Sequence, residues 1–446
     1  MASVAEQLAA NVNFGVFAKA TELKRRIWFT LGCLIVYRLG TYIPLPGIDP
    51  AVMAQIFQQQ RGGILGMFNM FAGGALARMS IFALGILPYI SASIIMQLMT
   101  AISPQMEALK KEGETGRKRI NQYTRYLTVI LAAAQAWGLA IGLEGMSGPA
   151  GSAVINAGWF FRATTVITIV GGTMFLMWIG EQITARGIGN GSSLIIFVGI
   201  IAGLPGALAS ILELGRTGAL SPLVIVFLLV MAVGIVAFVV FMERAQRRIL
   251  VQYPKRQQGN RVLGGESSHL PLKLNTSGVI PAIFASSLLV LPATIGGFAG
   301  GHGPEWFVAV TAALGYGQPL HLALYVALIM FFAFFYTSIV FNPQETAENL
   351  KKHGGYIPGY RPGVKTAEYL DYVLTRLTLI GALYLAAVCV LPEILISEYA
   401  IPFYFGGTSL LIVVSVTMDT VAQIQSHLIA HQYEGLIKKA RLRGRR

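Results

Sequence analysis

The sequence predicts an all-α polytopic membrane protein of ten transmembrane helices, and three observations carry that prediction. Of the 446 residues, 54% are hydrophobic and only 12% are charged, about half the charged fraction of a soluble globular domain. The apolar residues fall in long continuous runs, not in the alternating ten-residue strands of a membrane barrel. The formal net charge of +14 gathers in the connections and termini. A soluble enzyme and a disordered chain are thereby excluded. The two cysteines, Cys33 and Cys389, make neither a disulfide framework nor a Cys-based zinc site.

A helix needs about 20 mostly apolar residues to cross a bilayer. Ten runs qualify: 27–43, 81–102, 123–143, 154–179, 192–212, 220–241, 278–298, 320–341, 374–395 and 403–424. Nearly all of the 34 Lys and Arg lie in the N-terminal segment, in the loops after spans 2, 4, 6 and 8 with the start of span 9, and in the C-terminal tail. Only Arg38, Arg61, Arg78, Arg162 and Arg216 fall elsewhere. The positive-inside rule places both termini in the cytoplasm. The first 18 residues carry no Lys or Arg, so no signal peptide is expected. Residues 4–20 read as an amphipathic helix on the cytoplasmic surface.

Ten spans with both ends on one side divide into two halves of five that enter the membrane from opposite faces, the arithmetic of an inverted repeat. The expected organisation is a cytoplasmic segment 1–26, a first half 27–212, a second half 213–424 and a basic tail 425–446. Residues 62–77, GGILGMFNMFAGGALA, are apolar but too short to cross. They are either half-inserted or a helix on the outer surface. Cytoplasmic loops 243–273 and 342–373 are basic, carry apolar and aromatic residues at strand-like spacing, and exceed what topology needs. They suggest docking surfaces for an acidic partner such as ribosomal RNA or an acidic protein face.

Catalytic patterns are missing. No Walker A loop or HExxH occurs, and no metal or cofactor is expected. His427 and His431 lack the Glu of a metalloprotease and read as a helix-end pair. Gly145–Gly148 has no paired His. The charges inside spans, Arg38, Arg162, Arg376, Glu393 and Asp419, sit towards span ends, where snorkelling is cheap. An ion-coupled transporter needs mid-membrane carboxylates, which weakens that alternative. An intramembrane enzyme has no complete catalytic set. Spans 2 and 7 carry GILPYISASI and GVIPAIFASS, where proline is expected to kink the helix. Ile86 and Ile90 share one helix face, and a ring of such side chains can close a pore by excluding water.

The strings MFNMFAGGALARMSIFALGILPYISASII, TARGIGNGSSLIIF, ERAQRRILVQYPKRQQGNRV, HLPLKLNTSGVIPAIFASS, HGGYIPGYRPG and FGGTSLLIVVSVTMD span Met67 to Asp419. Through them the chain resembles the SecY family, the channel-forming subunits of the bacterial Sec protein translocase. The resemblance implies a bacterial inner-membrane channel for unfolded secretory polypeptides, with two five-helix halves forming a clamshell around an hourglass pore. It implies a plug helix at 62–77 including Met67, Phe68, Asn69, Met70, Phe71, Gly73 and Gly74. It implies a pore ring of Ile86, Ile90, Ile196, Ile283 and Ile412, with Ser192 where the family usually has another aliphatic residue. A lateral gate between spans 2 and 3 and spans 7 and 8 would include Pro88, Ser91, Asn275, Pro281 and Ser287. Arg247, Arg248, Arg256, Tyr360 and Arg361, with Lys255, would dock the ATPase SecA and the ribosome. SecE and SecG are the implied membrane partners.

Overall fold

The computed structural model describes residues 21–59, 69, 72–145, 147–148, 151–218, 221–254, 256–258, 261–263, 267–298, 310, 313, 318–399 and 407–443. Every expected span contains a long helix among them. In chain order these are α1 (Thr21–Gly40), α3 (Leu87–Ile102), α5 (Glu114–Gly145), α6 (Trp159–Arg186), α7 (Gly191–Arg216), α8 (Pro222–Arg244), α9 (Ile280–Phe298), α10 (Pro319–Val340), α12 (Val364–Tyr399) and α13 (Gly407–Arg443). Shorter helices α2 (Pro50–Gln59), α4 (Pro104–Lys111) and α11 (Pro343–Lys352) lie in the connections. Seven of the described helices are long and apolar enough to cross a membrane, or eight if α3 and α4, bent by 98°, form one span. The charges at the start of α1, Glu22, Lys24, Arg25 and Arg26, dilute its apolar stretch. The expected span at 278–298 is represented by the apolar stretch Ile280–Leu289 of α9.

Helix starts follow local chemistry. Asn190 caps α7, its side chain accepting from the Ser192 and Ser193 amides, and Asn342 caps α11 in the same way. Ser221 caps α8, with Pro222 in its first turn. Two expectations change here. Span 2 is not helical from Ile81: residues 81–86 are turns, with Gly85 at φ +57°, and the helix begins at Leu87. Pro88 and Pro281 then fall in the first turns of α3 and α9, where a missing amide hydrogen costs nothing, so neither kinks its helix. Helices α5 and α12 start about nine residues before the expected spans, and α13 continues through the expected tail to Arg443.

Two sets of five helices result. In the first, α5 packs along α3 and α6, and α6 along α1 and α7. In the second, α10 packs along α9 and α12, and α13 along α8 and α12. The sets meet where α9 lies on α3 and α5, and where α13 lies on α7 and α1. The α6–α7 turn holds this second seam: the Ile188 amide donates to Thr30 Oγ1 at 3.1 Å and the Gly189 amide to Gln423 Oε1 at 2.8 Å.

Gly191 lets α7 approach α6 so closely that a Cβ there would collide with the Gly180 carbonyl. Gly191→Ala is expected to lower stability by about 1–3 kcal/mol through overpacking. Gly138→Ala on α5, where the added carbon meets nothing within 4 Å, should cost nothing. Thermal unfolding of the purified variants in detergent checks the pair.

Candidate functional site

The five isoleucines come from α3 and its N-cap (Ile86, Ile90), α7 (Ile196), α9 (Ile283) and α13 (Ile412). All are buried, from 0% exposure at Ile412 to 8% at Ile90. They belong to one continuous apolar cluster that draws on both five-helix sets. Ser192 is occupied otherwise: its hydroxyl donates to Asn190 Oδ1 at 2.7 Å within the cap of α7.

The same cluster takes in Ala72, Ala75, Leu76 and Met79, the downstream end of the segment 62–77 and its exit. Met67, Phe68, Met70 and Phe71 lie outside the described residues. From Ala72 the chain runs as turns, not helix, with Gly73 and Gly74 at φ +67° and +82°. These turns are tied down by polar bonds. Asn69 Oδ1 accepts from the Ala77 amide at 2.7 Å, and the Asn69 carbonyl accepts from the Gly74 amide at 2.8 Å. Tyr37 Oη donates to the Ala72 carbonyl at 3.4 Å, and Arg38 Nη1 to the Gly73 carbonyl at 2.8 Å. Arg38, expected merely to snorkel, therefore holds the backbone of this segment.

Pro88 and Ser91 of α3, Pro281 and Ser287 of α9, and Asn275 just before α9 are all buried, and α9 lies on α3 and α5. Asn275 donates to Glu243 Oε1 at 2.7 Å and to the Gly278 carbonyl at 3.0 Å, and accepts from Ser277 Oγ at 3.0 Å. It thus pins the entry to α9 onto the end of α8. Glu243 was visible in the sequence only as the start of a loop. Phe284 meets Phe332 and Tyr336 of α10 edge-on, at ring centroid distances of 5.7 and 6.4 Å. Buried side-chain oxygens with no hydrogen-bond partner among the described residues occur on several helices, among them Gln97 on α3, Gln135 on α5, Thr165 on α6, Ser287 on α9, Thr337 on α10 and Tyr384 on α12.

The two large loops form one platform. Strand β3 (Gln246–Gln252) pairs antiparallel with β6 (Ser267–Lys273), and the short strands β4 (Arg256–Gln258) and β5 (Arg261–Leu263) pair with each other. Strands β1 (Ser147–Gly148) and β2 (Gly151–Ser152) make a separate small hairpin after α5. Gln252 and Tyr356 exchange both backbone hydrogen bonds at 2.9 Å, which joins β3 to the loop before α12. Ile249, Val251 and Leu272 of the hairpin share a core with Ile357 and with Leu370, Val373 and Leu377 of α12. Arg247 and Arg248 are exposed on β3, and Arg361 is exposed on the adjoining loop. The side chain of Arg256 lies outside the described residues. The backbone around Arg361 is fixed: Tyr360 stacks on Tyr369 at 4.0 Å, and the Arg361 carbonyl accepts from Thr366 Oγ1 at 2.9 Å.

Asn69→Ala removes the acceptor of the Ala77 amide. Loss of a bond of this kind costs about 1 kcal/mol, so exchange of the Ala77 amide should accelerate at least about fivefold. Hydrogen exchange read by mass spectrometry checks this, and unchanged exchange would show that Asn69 does not hold the turns.

Comparison with known proteins places this geometry. The SecY family model matches residues 80–421. Protein translocase subunit SecY of Rickettsia conorii is 58% identical over 422 residues, covering 95% of this chain and 97% of the relative. The Escherichia coli K12 protein of the same name is 58% identical over 424 residues, covering 95% and 96%. Among solved structures, "The structure of a protein conducting channel" matches with a TM-score of 0.64 at 19% identity, covering 91% of this chain and 92% of that one. A channel in the canine ribosome-channel complex from the endoplasmic reticulum matches with a TM-score of 0.60 at 17% identity, covering 91% and 92%. These structures share the fold, and the sequence relatives fix the lineage: this multi-pass membrane protein belongs to the SecY family.

Proposed function

We propose that the chain is the channel through which unfolded secretory polypeptides cross the bacterial inner membrane, and from which transmembrane segments leave sideways into lipid. The observation that carries this reading is the 58% identity, over 95% of the chain, with relatives named protein translocase subunit SecY. The reading puts both termini in the cytoplasm. It makes SecE and SecG the membrane partners and takes driving force from the ATPase SecA or the translating ribosome. The chain itself supplies the path.

The geometry fits a path that is shut at rest. An aliphatic constriction dewets when empty, and it makes no directional bonds with a chain that must keep moving. Ile86, Ile90, Ile196, Ile283 and Ile412 are the residues we assign to it. The segment 62–77, including Met67, Phe68, Asn69, Met70, Phe71, Gly73 and Gly74, is the proposed plug. The α3–α5–α9–α10 seam, with Pro88, Ser91, Asn275, Pro281 and Ser287, is the proposed lateral gate. A signal sequence is an apolar helix, which binds best where it reaches lipid. Entering that seam would shift the closed state towards an open one by differential affinity. Arg247, Arg248, Arg256, Tyr360 and Arg361 are the proposed docking residues, presented on a platform braced by Gln252 and Tyr356.

Reconstitution with SecE and SecG in vesicles tests the reading. With SecA and ATP, a secretory precursor should become protected from added protease. Arg361→Glu should reduce that protection by at least about tenfold, the cost of reversing one close charge contact, while leaving the folded channel intact. Absence of ATP-dependent protection with the unmodified chain would overturn the function. Normal protection with Arg361→Glu would overturn the docking assignment alone.

A further inference from the structure

The turns from Ala72 to Met79 are bonded to α1 and to the chain just after it. Tyr37 and Arg38, in the last turn of α1, donate to the Ala72 and Gly73 carbonyls. The Leu45 amide donates to the Met79 carbonyl at 2.8 Å. Gly73 is the tightest point. A Cβ added there would stand 2.8 Å from Tyr37 Oη, 3.0 Å from Gly199 Cα and 3.2 Å from Arg38 Nη1, and its φ of +67° itself favours glycine. The turn is therefore wedged between α1 and α7 with no room for a side chain. Gly199 lies three residues beyond Ile196, so the two share a face of α7. The proposed path past Ile196 leads along that face onto Gly73.

Arg38 is held from two sides. Its Nη1 donates to the Gly73 carbonyl at 2.8 Å, and its Nη2 donates to Tyr42 Oη at 3.4 Å. Its guanidinium also stands 5.5 Å from the centroid of the Tyr42 ring. A guanidinium makes two such bonds at once in a set geometry, and a charged donor bonds a carbonyl more strongly than a neutral one. The Tyr37 bond to Ala72, at 3.4 Å, is the weaker of the two that α1 makes to the turns. Arg38 is thus the main polar hold of α1 on the residue that stands next to Gly199.

We propose that Arg38 is a latch that sets how good a signal sequence must be to open the channel. The proposal rests on the reading of residues 62–77 as a plug. A polypeptide passing Ile196 cannot share the space at Gly199 with the Gly73 turn, so the turn has to leave and the Arg38 bond breaks with it. A bond made only in the shut state favours that state, and a ligand opens the channel only by a larger differential affinity. Weakening the latch lowers that demand. Arg38 is a positioning residue: it acts on the Gly73 turn and touches no substrate.

Two precursors test the latch in vesicles holding the chain with SecE and SecG, supplied with SecA and ATP. One carries an intact signal sequence, the other a charge placed in the apolar core of its signal sequence. The unmodified chain should protect the first from protease far better than the second. Arg38→Gln should raise protection of the second at least about fivefold, the effect of removing one charged bond from the shut state, while protection of the first reports a folded, inserted channel. Arg38→Lys, which keeps one donor, should fall between. Arg162→Gln removes a guanidinium bonded to Glu144 elsewhere in the same five-helix set and should leave the second precursor excluded. No rise with Arg38→Gln, or an equal rise with Arg162→Gln, would overturn the latch. Deletion of residues 62–71 separates the two readings. If the deletion admits the second precursor and Arg38→Gln does not, the plug stands without the latch, and if neither admits it, both fail.

Discussion

The rest of the structure is arranged around one buried apolar core. A single apolar cluster draws Ile86, Ile90, Ile196, Ile283 and Ile412 from four helices and from both five-helix sets. In hydrocarbon, apolar burial alone does not hold helices together, because lipid is as apolar as isoleucine. Other contacts therefore do the holding: within the sets, backbone close approach at Gly191 and the Asn275 bond to Glu243, and between the sets, the Gly189 amide on Gln423 Oε1. In the proposed reading the cluster contributes exclusion of water rather than adhesion. A centre that excludes water and edges that can part are what a closed, openable path requires.

The fold was largely legible because the solvent leaves few options. Lipid satisfies no backbone groups, so long apolar runs must be helices, and each of the ten runs contains one. Helix ends were less legible, because side chains and tertiary packing decide them. Ile81 and Phe82 look like the start of a span, yet they pack as turns under Gly40 and Gly172. Those glycines leave room for Phe82 and the Ile81 carbonyl. Pro88 then starts a helix where the proline was expected to kink one.

Function was legible at the level of strings and not of single residues. Nothing about Ile283 by itself separates a seal from ordinary packing, so the ring came from the resemblance; its five members lie in the main buried core together with many other residues. The bonds that tie the parts together were invisible. Arg38 bonds a carbonyl 35 residues away, Asn275 reaches a carboxylate 32 residues back, and Tyr356 pairs with Gln252 across 104 residues. Backbone acceptors leave no trace in a sequence, and a lone arginine near a span end reads the same whether it snorkels or binds.

The central claim is that the shared isoleucine cluster is the ion barrier of the resting channel. Conductance of the purified channel in planar bilayers, without precursor or SecA, tests it most directly. The account predicts that Ile283→Gly, which opens a polar gap in the cluster, raises resting ion conductance well above that of the unmodified chain. Resting conductance in Ile283→Gly and Ile90→Gly equal to that of the unmodified chain would contradict it.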